Sequence, residues 1–228
     1  MQKILLSGFL VLVTTFFGFS QEPAKQNDTL STVPLNADFI QIGPEIEHIP
    51  ADTPADLIAD RMSCIDSEFP LTLNSHVRAQ IDRFTLRSRN FVKTVLRRKD
   101  LYFPIFEKYL AQYQLPDELK YLSIIESGLS PVAVSRAKAV GLWQFMSGTG
   151  KLYGLHTNWY WDDRMDPERS TEAACKFLSE LYNMFKDWPL ALAAYNSGPG
   201  TVMKANRRSG YKNNFWEIYQ YLPNETRA

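Results

Sequence analysis

The sequence predicts an all-α domain, and three observations carry that expectation. Apolar residues recur at three-to-four spacing in successive segments, as in Leu115, Leu119 and Leu122 or Val77, Ile81 and Phe84. Helix-opening signals stand ahead of such stripes, Pro116 before one and Asp166-Pro167 before another. Sustained period-two alternation does not occur, which leaves room for at most a small irregular hairpin near Leu155 to Asp163. The 228 residues, 45% hydrophobic and 22% charged, suffice for one domain with a substantial core.

From the N-terminus, Lys3 is followed by a long apolar stretch and then by the small residues Gly18 and Ser20. This pattern predicts a secretory signal peptide over residues 1–20 and an exported protein, in the periplasm or cell envelope. The alternative is an N-terminal membrane anchor, although the apolar run falls short of the roughly 20 residues that span a bilayer. With no cysteine near the cut, a lipoprotein anchor is not expected. Residues 21–56 are polar and punctuated by Pro23, Pro34, Pro44, Pro50 and Pro54, the composition of a flexible N-terminal segment.

The folded domain is expected over 57–228, with N-terminal helices over 74–114 and a core over 115–228. A helical pattern begins near Leu57, firms up from Ser75 and resumes after a break at Leu101 to Pro104 as Ile105 to Tyr113. Pro116 opens the next helix, and a Gly- and Ser-rich connection follows from Ser135 to Gly154. Asp166 reads as an N-cap with Pro167 at the first helical position, and Thr171 as the opening of a helix over Glu172 to Phe185. Pro189 starts another helix, and Phe215 to Leu222 forms a last one. The run from Arg78 to Lys99 is rich in arginine and lysine; it reads as a solvated face, or as one that meets an anionic envelope polymer or lipid headgroups.

Glu126 continues the apolar stripe of Leu115, Leu119 and Leu122. A carboxylate there, near a helix C-terminus where the macrodipole disfavours negative charge, should have a raised pKa and serve as a general acid. The competing reading is a glutamate that frays into solvent just before Ser127-Gly128.

Several other chemistries are excluded. The formal net charge of zero gives no global pull toward nucleic acid. His48, His76 and His156 stand apart from one another and from the cysteines, so neither a metal nor another cofactor is expected. Ser147 to Lys151 lacks the first glycine of a phosphate loop and has Leu152 in place of its hydroxyl residue. Ser135 to Lys138 matches Ser-x-x-Lys but without the partner motifs of penicillin-binding enzymes. Cys64 and Cys175 are the only cysteines, and one disulfide between them is open in an oxidising compartment; the favoured reading of Cys175, on an Ala-rich helix, is a buried free thiol.

Downstream of Glu126-Ser127-Gly128 stand Ser135, Gly141-Leu142-Trp143-Gln144-Phe145-Met146, Thr149-Gly150, Tyr153-Gly154-Leu155, Asp162-Asp163-Arg164, Asp166-Pro167, Ala194-Tyr195-Asn196-Ser197-Gly198 and Leu222 to Arg227. With these motifs in this order, the chain from Asn74 onward resembles the lytic transglycosylases of the goose-type-lysozyme superfamily, membrane-bound lytic transglycosylase D type. The resemblance implies a lysozyme-like helical domain with a substrate cleft that takes peptidoglycan glycan strands. It implies that Glu126 protonates the β-1,4 glycosidic oxygen between N-acetylmuramic acid and N-acetylglucosamine. The same carboxylate then deprotonates the muramoyl C6 hydroxyl, which closes on C1 to leave a 1,6-anhydro end.

By family position, Ser135 hydrogen-bonds near Glu126 and the acetamido group, Gln144 and Met146 line the cleft, and Tyr195 and Asn196 orient the acid and bind sugar. Glu225 is a further sugar-binding candidate. Without the family, Ser135 is an ordinary turn cap, Met146 core filler and Tyr195 a core tyrosine with its hydroxyl at the rim. An ordinary glycosidase needs two carboxylates, and Asp162, Asp163, Asp166 and Glu225 are the candidates for a second. The rival functions are a hydrolytic muramidase on the same fold and a catalytically idle wall-binding protein. The family usually continues past Glu225-Thr226-Arg227 into a further helix, so either a C-terminal extension or an incomplete cleft wall is expected.

Overall fold

The structure, a computed structural model, describes residues 53–227. The signal peptide expected over 1–20 and all but the last residues of the segment expected over 21–56 lie outside the described residues. Helix α1 (Ala55–Ser63) opens the described chain, and α2 (Ser75–Asp82) follows with Asn74 as its cap, the side chain accepting from the amides of His76 and Val77. A π-helical turn, Arg83–Arg87, leads into α3 (Arg89–Gln112).

Helix α3 runs without interruption through Pro104, where the sequence suggested a break. A proline inside a helix forfeits one backbone hydrogen bond and costs about 3 kcal/mol. Tyr102, Phe103, Phe106 and Leu110 on either side of it are all buried. Full burial of such a side chain contributes about 1.5–3 kcal/mol, so two of them offset the defect.

After α3 the chain forms a 3-10 turn (Asp117–Tyr121) and α4 (Leu122–Ser127), so Pro116 opens a 3-10 turn rather than an α-helix. The Gly- and Ser-rich connection contains a short helix, α5 (Ser147–Leu152), and bridges between Val134 and Val140 and between Val140 and Phe145. The hairpin expected near Leu155 to Asp163 is a single bridge, Thr157 to Asp162.

Helix α6 (Pro167–Phe185) begins at Asp166, whose side chain accepts from the Arg169 amide 2.8 Å away. The helix therefore starts earlier than Thr171 suggested. Thr171 lies inside it, its hydroxyl donating to the Pro167 carbonyl and accepting the Trp143 indole N–H at 2.9 Å. Then come α7 (Trp188–Ser197), α8 (Pro199–Arg208) and α9 (Phe215–Ile218), and after a 3-10 turn (Tyr219–Tyr221) α10 (Asn224–Arg227). Helices α5, α8 and α10 were not anticipated. Gly198, at φ +85°, is the break that lets Pro199 open α8 directly behind α7.

No strand forms among the described residues, and the fold is all-α as expected. Helix α6 packs against α3 and α7, and fully buried Trp143 is wedged edge-on to Phe106 with ring centroids 5.0 Å apart. A smaller cluster of Ile58, Met62, Val77 and Ile81 joins α1 to α2 and meets the C-terminal part through Trp216.

Candidate functional site

Glu126 stands in the last turn of α4 and is only 8% exposed. The helix stops two residues later because Gly128 takes the left-handed conformation, φ +63°, and returns its amide to the Ile124 carbonyl. Arg98 of α3 donates to the Gly128 carbonyl at 3.0 Å, and the Phe91 ring lies so close that a Cβ on Gly128 would stand 2.9 Å from it. The end of the α4 helix is therefore held from the α3 side.

On the other side, Ser123 donates to the Leu142 carbonyl at 2.9 Å, and Ser127 Oγ lies at the same distance from that oxygen. The segment Gly141 to Met146 is thus hydrogen-bonded directly to the glutamate-bearing helix. Gly141 has φ +86°, and a Cβ there would fall 1.8 Å from the Arg164 carbonyl oxygen. The Arg164 guanidinium pairs with Asp162 at 2.6 Å and donates to the carbonyls of Lys138 and Phe145 at 3.3 and 3.2 Å. Burial by itself would raise the Asp162 pKa, but its bonds from the Arg164 side chain and backbone outweigh that and hold it below its ordinary value.

The candidate residues fall into two groups. Glu126, Asn196 and Glu225 line one cavity of about 170 Å³, roughly ten times what a single water needs. Its other walls come from Phe69 to Thr72, from Leu122 and Ile125 of α4, from the start of α7, and from Asn214 to Trp216. Asn196 accepts from the Thr226 hydroxyl at 3.1 Å, which ties α7 to α10 at the cavity edge. Tyr195 donates to the Trp143 carbonyl at 2.8 Å. Its phenol is pushed well above the ordinary range, first by burial and then by the nearby Glu126 carboxylate, so it stays a donor.

Ser135, Gln144 and Met146 lie outside that lining, in the connection docked on α4. Ser135 Oγ accepts from the Ala139 amide at 3.0 Å while its own amide donates to the Ala139 carbonyl, closing a small loop. Gln144 turns inward at φ +49°, and its amide donates to the carbonyls of Gly141 and Ala133 at 2.9 and 3.2 Å. Met146 precedes α5 and is 46% exposed. Of the other carboxylates, Asp162 and Asp163 are held by Arg164 and Arg169, and Asp166 caps α6.

Sequence reasoning missed Asp187, which both caps α7 through the Leu190 amide at 2.8 Å and lines the cavity. Burial pushes its carboxyl above the ordinary value, opposed by that amide bond. Reasoning from sequence also missed the wall from Phe69 to Thr72, which has no periodic pattern to mark it. Among the described residues no group of three or more His, Cys, Asp or Glu side chains stands ready for a metal.

A family model described as the transglycosylase SLT domain matches residues 103–218, which include Glu126, the docked connection and Asn196. The chain belongs to the SLT domain family. It is similar to the membrane-bound lytic murein transglycosylase D of Escherichia coli strain K12, 38% identical over 158 residues that cover 68% of this chain and 34% of that protein. It is also similar to a putative tributyltin chloride resistance protein of Alteromonas sp. strain M-1, 36% identical over 46% of this chain and 50% of that one. A third likeness is to the peptidoglycan transglycosylase gp16 of Escherichia phage T7, 35% identical over 45% of this chain and 8% of that one. The chain thus spans about a third of the length of the transglycosylase D. The SLT match stops short of two cavity walls, Phe69 to Thr72 and Glu225 to Thr226.

Proposed function

We propose that this SLT domain is a peptidoglycan lytic transglycosylase that cleaves the β-1,4 bond between N-acetylmuramic acid and N-acetylglucosamine. The observation that carries the reading is Glu126: an acidic residue 8% exposed, at the wall of a cavity of about 170 Å³, within the SLT match. Burial favours the protonated form of such a group. Its proton passes to the glycosidic oxygen as the bond from C1 breaks, and N-acetylglucosamine departs with a free hydroxyl. The carboxylate left behind takes the proton of the muramoyl C6 hydroxyl as O6 bonds to C1. The acid is restored and no water is consumed. A nucleophile on the same sugar has the effective-molarity advantage of a pre-positioned reactant.

The other residues take supporting roles. Asn196 and Glu225 bind sugar in the cavity. Tyr195 positions the acid through the Trp143 carbonyl that it holds. Gln144 shapes the cleft as a stitch of the docked connection, and Ser135 and Met146 meet the glycan beyond the cavity. The domain works in the cell envelope, where its polymer is; the leader-like pattern of residues 1–20 and the membrane-bound relatives support this.

A hydrolytic muramidase is the second reading, favoured by one observation: Asp187 and Glu225 bring further carboxylates to the cavity that holds Glu126. Mass spectrometry of muropeptides released from purified sacculi decides between the two. Anhydromuramic ends, one water lighter and resistant to borohydride, are expected. Reducible ends in their place would establish hydrolysis.

A further inference from the structure

The turn between His156 and Asp162 carries three consecutive aromatic residues that the cavity does not use. Trp159, Tyr160 and Trp161 are 94%, 88% and 59% exposed, and among the described residues none of their rings stacks on another ring. Aromatic side chains ordinarily bury most of their area in a core or an interface. Packing within this domain therefore does not account for the three. The turn that bears them is nevertheless pinned. The Asn158 amide donates to the Trp161 carbonyl at 2.9 Å, and the Asn158 side-chain oxygen accepts from the amides of Tyr160 and Trp161 at 2.7 and 3.0 Å. At the base, the Asp163 amide donates to the His156 carbonyl and the Asp163 carboxylate accepts from the His156 amide, both at 2.9 Å. None of these bonds involves a ring, so the rings are presented on an ordered backbone and a ligand that meets them bears little cost for ordering a loop.

The turn is fastened to the neighbourhood of Glu126. On α4, at 3.6 residues per turn, Leu122 and Ile125 lie about 40° and 100° to one side of Glu126, and Ser123 and Ser127 about 60° and 100° to the other. Leu122 and Ile125 line the cavity, whereas Ser123 and Ser127 bond the Leu142 carbonyl of the docked connection. Glu126 thus stands at the seam between cavity and connection. Further along that connection, the Arg164 guanidinium joins the Phe145 carbonyl at 3.2 Å to the Asp162 carboxylate at 2.6 Å. Phe145 precedes the exposed Met146 and Asp162 follows Trp161, so one side chain clamps the aromatic turn to the connection beside Met146.

Charge narrows the ligand. Residues 156–162 include no lysine or arginine, and Arg164 at their base is spent on Asp162 and on main-chain carbonyls. The turn itself therefore offers no cation to a lipid headgroup or a peptide carboxylate. A β-1,4-linked hexosamine needs none, because the C–H groups on the face of its ring lie flat against an aromatic ring. Tryptophan and tyrosine suit that contact, as large rigid surfaces with few rotatable bonds to fix. We propose that Trp159, Tyr160 and Trp161 form an outlying glycan subsite beyond Met146, stacking on sugar rings of the strand whose scissile bond lies at Glu126, so that the domain prefers long strands over short ones. This rests on the transglycosylase reading.

The test is the full chain carrying Glu126→Gln, which leaves glycan intact, in binding to peptide-free glycan from purified sacculi, fractionated into tetrasaccharides and long strands. Long strands should bind at least about tenfold tighter, or about 1.4 kcal/mol, and the ratio should hold as salt rises, since stacking carries no charge. Adding Trp159→Ala, Tyr160→Ala and Trp161→Ala should collapse the ratio while leaving tetrasaccharide binding, the thermal midpoint and the circular dichroism spectrum unchanged. Phenylalanine at the same three positions keeps the flat rings and should keep most of the preference. Equal binding of both fractions, a preference that survives the alanine changes or disappears with salt, or a phenylalanine variant no better than the alanine one would overturn the proposal. Cleavage of sacculi to anhydromuramic ends by the unaltered chain would leave the transglycosylase reading standing in each of those cases. Failure to bind either fraction, with no cleavage, would overturn both. Alanine changes that abolish binding to phosphatidylglycerol vesicles without moving the strand ratio would overturn the subsite and reassign the turn to the membrane.

Discussion

Gly141 should tolerate no side chain, and the neighbouring structure gives the size of the effect. An alanine at φ +86° costs roughly 1–2 kcal/mol in any surroundings. At Gly141 the new Cβ would also fall 1.8 Å from the Arg164 carbonyl oxygen, which is main chain and does not swing aside. Arg164 is further anchored through Asp162 and the carbonyls of Lys138 and Phe145. Relief of the clash therefore moves the whole connection, an overpacking penalty of about 1–3 kcal/mol. Gly154 is the matched control, with φ +85° and nothing within 4 Å of the place a Cβ would take. At about 2–4 °C per kcal/mol for a protein of this size, Gly154→Ala should lower the thermal midpoint by about 2–8 °C and Gly141→Ala by about 4–20 °C. Differential scanning fluorimetry of the two variants beside the unaltered chain measures both, and sacculus turnover measures the second consequence, since the displaced connection is bonded to the helix of Glu126. Equal midpoints for the two variants would refute the assignment of Gly141 to close packing and leave only its backbone angle.

Glu126→Gln should reduce sacculus cleavage at least about a hundredfold, the usual contribution of a general acid, with the thermal midpoint held; activity within tenfold of the unaltered chain would sink the role. Asp162→Asn should destabilise the domain at neutral pH. Because Asp162 has its folded pKa lowered, its contribution is present above the unfolded value and lost as pH falls through the folded one, so the two unfolding curves should converge in acid. A gap that persists unchanged into strong acid would contradict the Arg164 pairing. Native protein should show one reactive thiol, the exposed Cys64, with Cys175 reacting only after denaturation, since burial and then Glu172 push its thiol up to about 12. Two thiols titrating in the native state would be inconsistent with the packing of α6.

Legibility in the sequence followed the kind of force at work. The stripe of Leu115, Leu119 and Leu122 located Glu126 because burial leaves a periodic trace, and the cap at Asp166 follows elementary donor counting. The proline at 104 misled because a local penalty was weighed without the aromatic residues that surround it in space. Thr171 looked like a helix opener for the same reason: its hydroxyl is spent on Trp143, 28 residues away. Helices α5 and α10 are so short that no stripe develops, and α8 follows α7 with only Gly198 between them. Part of the cavity was invisible for a different reason. Glu126 and Asn196 belong to motifs, whereas Phe69 to Thr72 earn their place only by three-dimensional neighbours such as Trp188, whose ring lies 5.8 Å from that of Phe69.

The walls of that cavity are drawn from residues 69–72, 126, 196 and 225–226, stretches far apart along the chain. Local pairs such as α6 with α7 close small loops and assemble early; contacts that join distant stretches must first overcome a larger loop-closure entropy. The helix of Glu126 can therefore be in place before the hollow beside it exists. During synthesis, the acid is made well ahead of Thr226, whose bond to Asn196 ties α10 to α7 at the cavity edge. A half-emerged chain would carry its acid without that enclosure, and under the proposed function the capacity to cut glycan would wait until Glu225 and Thr226 are in place. A fragment trimmed to residues 103–218 would hold the same unfinished state permanently, and its turnover beside that of the full chain reports how much the enclosure contributes.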